Sequence, residues 1–129
     1  MNTSRLERVW LFHGTDEGTV PKIVNQGFNR AFCGKNATAY GKGVYFARDA
    51  DYSAQPQYAR PNSSGVCQMF LCRCVVGEYC LGKRDALTPD VRKGYQLYDS
   101  TVNKIDDPLI FVTYHDAQAY PEYLIKYKR

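Results

Sequence analysis

The chain has 129 residues, a formal net charge of +4, 44% hydrophobic residues and 23% charged residues. These values predict a single globular domain over residues 1–129 and exclude a disordered or fibrous chain. Lys and Arg are scattered, and no apolar stretch reaches the roughly 18–20 residues that span a bilayer, so we expect neither a basic nucleic-acid arm nor a membrane partner.

The first predicted elements are a strand and a helix. The apolar run VWLFH, residues 9–13, ends at a glycine and is typical of a buried strand. A helix is predicted within residues 15–28. It has a candidate cap, a proline suited to its first turn and a glycine at its C-terminal end, namely Thr15 or Asp16, Pro21 and Gly27.

The next predicted elements are a long loop, a strand and a short helix. Residues 28–43 contain glycines and asparagines without periodicity, which predicts a loop, and long ordered loops are often functional. The sequence VYFA, residues 44–47, predicts a strand. Residues 49–58 predict a short helix, with Asp49 as its cap and an end near Pro56.

The second half of the chain is predicted to be mostly strands. After a turn at residues 60–65, residues 66–80 predict a long strand with a bulge or bend at Gly77, followed by a polar surface loop over residues 81–94. Three further apolar and aromatic runs predict strands: residues 95–102, 109–114 and 122–128. The fold class is therefore α+β, built mainly from antiparallel sheet.

The cysteines predict a reducing compartment. The number of cysteines is odd, and the N-terminus has no apolar signal-peptide segment, so we expect reduced thiols and a cytoplasmic or nuclear location. No CxxC pair occurs, and neither histidine lies near the cysteines in sequence. We therefore expect buried structural thiols and no metal site, for the cysteines Cys33, Cys67, Cys72, Cys74 and Cys80.

His13 and Gly14, at the end of the first predicted strand, are candidate site residues. A histidine at a strand end is either a satisfied structural residue or a side chain presented into a cleft. Gly14 would let a ligand approach the backbone, and a backbone N–H and C=O together can bind a primary carboxamide. The residues alone leave both interpretations open.

A second candidate group is Tyr45, Ser53 and Tyr58. Two aromatic rings and a hydroxyl could converge on a planar heteroaromatic amide, with stacking worth about 1 kcal/mol per ring beyond area burial. Tyrosines in a strand and near a helix end are equally compatible with core packing. The spacing does not decide between a pocket and a core.

Three separated motifs resemble the catalytic core of the poly(ADP-ribose) polymerase (PARP) family. They are LFHGT, GFNRAFCGKNATAYGKGVYFARDADYSA and QAYPEYLI, in that order, and the resemblance extends from about Val9 to the C-terminus. It is closest to the mono-ADP-ribosylating members that carry macrodomains. It implies a split, mainly antiparallel ADP-ribosyltransferase sheet with short flanking helices. Family members usually have strands and helices before HGT, and only twelve residues precede His13 here, so an N-terminal part is expected to be missing.

The resemblance implies roles for the candidate residues in binding NAD as a substrate. His13 would hydrogen-bond a ribose hydroxyl, and the Gly14 backbone and Ser53 hydroxyl would hold the nicotinamide carboxamide. Tyr45 and Tyr58 would sandwich the nicotinamide ring. The loop over residues 28–43 would close over the dinucleotide, with two contacts expected from Arg30 and Tyr40.

The resemblance also implies a missing glutamate. Counting back from QAYPEYLI without gaps, the glutamate of polymerising members corresponds to Ile110, whereas Glu122 belongs to the shared motif and is predicted to be an exposed or ion-paired carboxylate. His13, Tyr45 and Ile110 would then be the catalytic positions, and an apolar residue at 110 implies transfer of a single ADP-ribose unit.

Two other functions remain open beside this mono-ADP-ribosyltransferase. Expected acceptors are protein side chains, including those of the chain itself. The first alternative is a catalytically weak or inactive module that binds NAD, ADP-ribose or a protein partner. Modification of nucleic-acid ends is the second, because terminal phosphates are also ionised nucleophiles.

Overall fold

A computed structural model describes residues 8–29 and 38–128. The helices and strands within these residues are, in chain order, β1 (Arg8–Thr15), α1 (Val20–Gln26), β2 (Val44–Ala47), α2 (Ala50–Ser53), β3 (Val66–Val75), β4 (Tyr79–Leu81), β5 (Val91–Lys93), β6 (Gln96–Leu97), β7 (Ser100–Val102), β8 (Ile110–Thr113), a 3-10 helix (Asp116–Gln118) and β9 (Ala119–Lys128). In this part of the chain, no helix is long and apolar enough to cross a membrane.

Seven strands form one mixed sheet in the order β4-β7-β8-β2-β1-β3-β9. All neighbours are antiparallel except β4 and β7, which are parallel. Strands β5 and β6 form a separate two-stranded hairpin. The predicted α+β, mainly antiparallel fold is confirmed.

The sheet is nearly divided between β1 and β2. These strands are in register at one pair only, Phe12 with Ala47, whereas β1 pairs with β3 over its whole length. Beyond Phe12, β1 and β2 therefore no longer pair as neighbouring strands. This opening is the split that the resemblance implied, and it positions the candidate site.

Side-chain alternation gives the sheet two buried faces. One face packs against α1 and contains the larger apolar cluster: Leu11, Ile23, Phe28, Val44, Phe46, Phe70, Cys72, Cys74, Val76, Val102 and Phe111. The other face contains a smaller cluster of Tyr45, Ile110, Val112 and Tyr114. Consecutive residues within β2, and within β8, thus belong to different clusters, so both faces of these two strands are buried.

The predicted N-terminal cap of α1 was wrong. Thr15 is the last residue of β1, and Thr19 precedes the helix. Asp16 contributes from outside the helix, because its Oδ1 accepts a hydrogen bond from the Thr19 N–H at 2.8 Å. Pro21 in the first turn and Gly27 at the C-terminal end, with φ of 75°, are confirmed.

Helix α2 ends at Ser53, earlier than the predicted end near Pro56. A proline disfavours helical dihedrals at the residue before it, here Gln55, so the helix stops ahead of Pro56. The chain then turns, with the N–H groups of Tyr58 and Ala59 both donating to the Gln55 carbonyl. Tyr58 consequently lies on a turn rather than on the helix.

Two strand predictions also needed correction. The run at residues 66–80 divides at Gly77, φ 59°, into β3 and β4, which confirms the predicted bend. The run at residues 95–102 divides into β6 and β7, and the predicted loop at residues 81–94 contains β5, which pairs with β6.

Candidate active site

His13 is a buried, neutral histidine near the end of β1. Its Nδ1 lies 2.7 Å from the carbonyl oxygen of Tyr45, and because a carbonyl can only accept, Nδ1 carries the proton. Burial lowers the pKa of His13 to about 4, although this hydrogen bond opposes the shift. The ring packs against Phe28 and Phe46, with centroids 5.0 and 5.4 Å away. At neutral pH the lone pair of Nε2 can therefore accept a hydrogen bond.

Gly14 lies in direct contact with the segment that contains Ser53 and Tyr58. A Cβ at position 14 would lie 2.2 Å from the Ser53 carbonyl oxygen, 2.9 Å from the Ala59 nitrogen and 3.0 Å from Tyr58 Cβ. Only glycine allows this approach. Because backbone polar groups of alternate strand residues point to the same side, the N–H and C=O of Gly14 face the same side as those of Phe12, toward the opening in the sheet.

Ser53 is tied to the same strand. Its Oγ donates to the Phe12 carbonyl at 3.0 Å, and its side chain is buried. With the hydroxyl proton engaged, the lone pairs of Oγ remain acceptors. The structure therefore brings His13, Gly14 and Ser53 together around one stretch of β1.

Tyr45 is a buried phenol that ties its own strand to the preceding loop. Its hydroxyl donates to the Gly41 carbonyl at 2.8 Å and accepts from the Tyr40 N–H at 2.9 Å. Burial raises the pKa of Tyr45 to about 12, and the neighbouring phenols of Tyr114, Tyr40 and Tyr58 contribute to the rise. The side chain is 7% exposed and packs in the smaller cluster, so its ring is largely covered in this conformation.

Tyr40 is held by its backbone. Its carbonyl accepts hydrogen bonds from Thr101 Oγ1 at 2.8 Å and from the Tyr114 hydroxyl at 3.4 Å. A Cβ at Gly82 would lie 2.2 Å from the same carbonyl oxygen, so the β4 end packs directly on this residue. Arg30, the other expected loop contact, lies outside the described residues.

Tyr58 stacks on Tyr52 and not on Tyr45. The two ring centroids are 4.9 Å apart with an interplanar angle of 27°, and the two hydroxyl oxygens are 2.7 Å apart. Tyr52 also packs against the smaller cluster that contains Tyr45 and Ile110. Tyr45 and Tyr58 therefore lie in one group of phenols, in which Tyr52 contacts Tyr58 and packs against the cluster that contains Tyr45.

Ile110 begins β8 beside Tyr45. It is in register with Ala47 of β2, and it is 7% exposed within the cluster of Tyr45, Val112 and Tyr114. Its N–H donates to Asn103 Oδ1 at 3.1 Å. The side chain at this position can neither accept a hydrogen bond nor take a proton.

Glu122 is remote from this group. Glu122 lies on β9 at the edge of the sheet, where it forms a 3.1 Å ion pair with Arg73 of β3, and three strands separate β9 from β8. The prediction of an ion-paired carboxylate is confirmed.

Sequence reasoning missed three contributors to the site: Tyr52, Thr101 and Tyr114. Thr101 Oγ1 and the Tyr114 hydroxyl are 2.8 Å apart, and both contact the Tyr40 carbonyl. Tyr52 precedes Ser53 directly, and this adjacency was the one available signal. The other two lie on β7 and after β8, where nothing in the sequence links them to Tyr40.

The described residues contain no group of three or more His, Cys, Asp or Glu side chains that could hold a metal ion. Cys67, Cys72 and Cys74 are buried, and burial raises the pKa of Cys74 to about 12. Cys72 and Cys74 pack in the larger apolar cluster.

Comparisons with known proteins agree on one family. The family model for the poly(ADP-ribose) polymerase catalytic domain matches residues 1–107. The chain is 41% identical to protein mono-ADP-ribosyltransferase PARP14 of Homo sapiens, over 99% of this chain and 7% of that protein. It is 44% identical to protein mono-ADP-ribosyltransferase PARP10 of Mus musculus, over 92% of this chain and 12% of that protein. The chain thus spans a small part of these relatives.

A solved structure shows the same fold. The crystal structure of the PARP domain of Arabidopsis RADICAL-INDUCED CELL DEATH1 matches with a TM-score of 0.75 and 22% identity, over 95% of this chain and 68% of that chain.

Proposed function

The chain belongs to the family of poly(ADP-ribose) polymerase catalytic domains, and on that premise we propose that it binds NAD at the candidate site and transfers one ADP-ribose unit to an acceptor, releasing nicotinamide. The main support is the group formed by neutral His13, the Gly14 backbone and the Ser53 hydroxyl beside the opening in the sheet. Its relatives PARP14 and PARP10 are named mono-ADP-ribosyltransferases, which agrees with single-unit transfer.

The Gly14 and Ser53 groups are suited to the nicotinamide carboxamide. This amide presents two N–H donors and one carbonyl acceptor. The Gly14 C=O and the Ser53 Oγ lone pairs can accept from the donors, while the Gly14 N–H can donate to the carbonyl. Because Gly14 has no side chain, these groups stay close to α2.

His13 is suited to a ribose hydroxyl. Nδ1 is engaged by the Tyr45 carbonyl, which leaves Nε2 as an acceptor for the hydroxyl proton. Since the pKa of His13 is lowered to about 4, the ring does not add a positive charge near the developing oxocarbenium ion at neutral pH. Tyr45 and Tyr58 would contact the two faces of the nicotinamide ring, as the resemblance implies.

Ile110 restricts the reaction to acceptors that are already nucleophilic. The glycosidic C–N bond breaks with its electron pair leaving on nicotinamide, and the acceptor oxygen supplies the pair for the new C–O bond. A ribose hydroxyl needs a base for this step, whereas an ionised carboxylate does not. Since Ile110 is buried and apolar, protein carboxylates are favoured acceptors and chain growth is disfavoured.

Incubation with NAD labelled in its adenylate part tests this proposal. We expect single ADP-ribose units on protein and stoichiometric release of nicotinamide, both lost in Tyr45→Ala. Tyr95→Ala is the matched control, because Tyr95 is a fully exposed tyrosine on the β5–β6 turn. Polymer formation, or equal labelling of Tyr45→Ala and the control, would contradict the proposal.

A second candidate is a module that binds NAD or ADP-ribose without transfer. The absence of a carboxylate at Ile110 and the nearly complete burial of Tyr45 favour it. Calorimetric binding of NAD without release of nicotinamide would support the module. Phosphorylated oligonucleotides in the labelling reaction test nucleic-acid ends as acceptors, and label on them would identify that activity.

A further inference from the structure

We propose that Tyr52 is a positioning residue for Tyr58, holding its ring in the orientation that stacks on the nicotinamide head group. This proposal assumes the NAD-binding function above. Tyr52 itself would not contact NAD, because it would cover one face of Tyr58 and leave the opposite face to the ligand.

Two separate contacts join these tyrosines. The rings stack with centroids 4.9 Å apart, which constrains the plane of the Tyr58 ring. The hydroxyl oxygens are 2.7 Å apart, and this hydrogen bond constrains the direction of the ring within that plane. Together they restrict Tyr58 to one orientation.

Tyr58 needs an external support because of where it lies. It follows α2 on a turn whose preceding residues, Gln55, Pro56 and Gln57, are exposed. Its N–H donates to the Gln55 carbonyl, so its local backbone contact is also within the turn. A half-buried aromatic ring on such a turn has several accessible rotamers unless a neighbour fixes one.

Tyr52 can supply that support because it lies on α2 and packs against the cluster of Tyr45 and Ile110. Burial and the hydrogen bond to Tyr58 raise the pKa of Tyr52, so its hydroxyl stays protonated at neutral pH. Fixing a ring before the ligand arrives removes an entropy cost from binding. The nicotinamide portion of NAD should therefore benefit, and the ADP-ribose portion should not.

Separate calorimetric titrations of nicotinamide and ADP-ribose test this directly. In Tyr52→Leu, which keeps apolar volume and removes the ring, we expect Kd for nicotinamide to rise about 10-fold and Kd for ADP-ribose to change less than about 2-fold. Tyr52→Phe keeps the stacking and should raise Kd for nicotinamide only about 2–3-fold. Tyr79→Leu is the control, because Tyr79 contacts Phe111 in another part of the sheet.

The outcomes separate this proposal from the proposed function. Failure of the wild-type chain to bind nicotinamide contradicts both. Wild-type binding with an unchanged Kd in Tyr52→Leu contradicts the Tyr52 role alone, as does an equal loss for both ligands. Tighter binding of nicotinamide by Tyr52→Leu would show that the Tyr52 ring occupies the space that nicotinamide needs, and this result would also overturn the proposed role of Tyr52.

A double-variant comparison covers the case in which Tyr52→Leu does not fold. If the hydroxyls act through their shared hydrogen bond, Tyr52→Phe combined with Tyr58→Phe should raise Kd for nicotinamide no more than either single change. Additive increases would show that the two hydroxyls act independently, which contradicts the proposal.

Discussion

The two halves of the sheet hold the candidate site by different means. On the β1 half, the important atoms are in the backbone, and the close contact between Gly14 and the Ser53 segment positions them. On the β2 and β8 half, buried hydroxyls of Tyr45, Thr101 and Tyr114 hold the Tyr40–Gly41 backbone. The β1 half tolerates no added side-chain atom at Gly14, whereas the β2 and β8 half can lose its hydrogen bonds one at a time.

The largest expected effect is on the β1 half. In Gly14→Ala, the new Cβ would lie 2.2 Å from a backbone oxygen, so α2 must move away from β1. We expect a loss of more than about 3 kcal/mol in the free energy of unfolding, beyond the usual range for overpacked sites, because a backbone atom cannot change rotamer. Nicotinamide binding should be lost as well. Denaturant unfolding and calorimetry measure the two effects.

Gly18→Ala is the control for this comparison. The nearest atom to a Cβ there is Asp16 Oδ1 at 3.6 Å, an ordinary contact, so the free energy of unfolding should change by less than about 0.5 kcal/mol. Equal stability of Gly14→Ala and Gly18→Ala would show that α2 does not press against β1, and the contrast between the halves would fail.

Gln118 joins the two halves, and its removal is expected to have the next largest effect. Its Nε2 donates to the carbonyl of Val75, the last residue of β3, and to the carbonyl of Asp99, just before β7, at 3.2 and 2.9 Å. Its Oε1 accepts from the N–H groups of Tyr114 and His115, each at 3.1 Å. Gln118→Leu leaves these groups unsatisfied, so we expect a loss of about 3–4 kcal/mol.

Thermal and denaturant unfolding of Gln118→Leu would measure this loss. Gln118→Glu is an informative companion, because it keeps the acceptor oxygen for the two N–H groups and removes the donor. It should be less stable than the wild type and more sensitive to rising pH. A loss below about 0.5 kcal/mol in Gln118→Leu would mean that the halves are held together by apolar packing alone.

The pH dependence of stability should report the burial of His13 in the β1 half. Unfolded histidine has a pKa of 6.5, whereas burial lowers the pKa of His13 to about 4, so between these values the unfolded chain binds the extra proton. The His13 contribution is fully present above pH 6.5 and is lost as the pH falls toward 4, by about 3 kcal/mol. Urea unfolding at several pH values measures this loss.

His13→Gln should remove most of that slope, whatever its own stability. His115→Gln is the matched control, because it makes the same substitution at an exposed histidine after β8. An identical slope in the wild type and His13→Gln would mean that other groups account for the acid sensitivity and that His13 is not held neutral by burial.

The local pattern of apolar and polar residues predicted the regular strands of both halves. It did not predict the structure where a contact distant in sequence determines it. β1, β2 and β8 are short apolar runs with glycine or polar ends, and each was predicted within a few residues. The hairpin of β5 and β6 was missed because its strands have three and two residues, too short for a period. The predicted end of α2 near Pro56 was too late, because a proline already disfavours helical dihedrals at the residue before it, here Gln55.

The candidate site shows the same division. His13, Gly14 and Ser53 were candidates from the residues alone, and motif resemblance assigned them to one site. The Ser53–Phe12 hydrogen bond, between positions 41 residues apart, brings them together. The pairing of Tyr58 with Tyr52 was not predicted, because it depends on how the turn after α2 directs the chain. No spacing rule for helices or strands applies across such a turn.

The smallest expected effect is that of Glu122→Gln, and it tests whether the carboxylate of Glu122 takes part in catalysis. Glu122→Gln removes an ion pair with Arg73, and such surface pairs contribute about 0–1 kcal/mol. Arg73 keeps its position over the Trp10 ring, 5.3 Å from the centroid, so little repacking is expected. Since three strands separate β9 from β8, the rate of nicotinamide release should not change. Ile110→Glu is the opposite case, because it places a carboxylate beside Tyr45 and should alter that rate. A large loss from Glu122→Gln with none from Ile110→Glu would place the catalytic carboxylate position on the β3–β9 edge, and the assignment of the site to the opening beside β2 would be wrong.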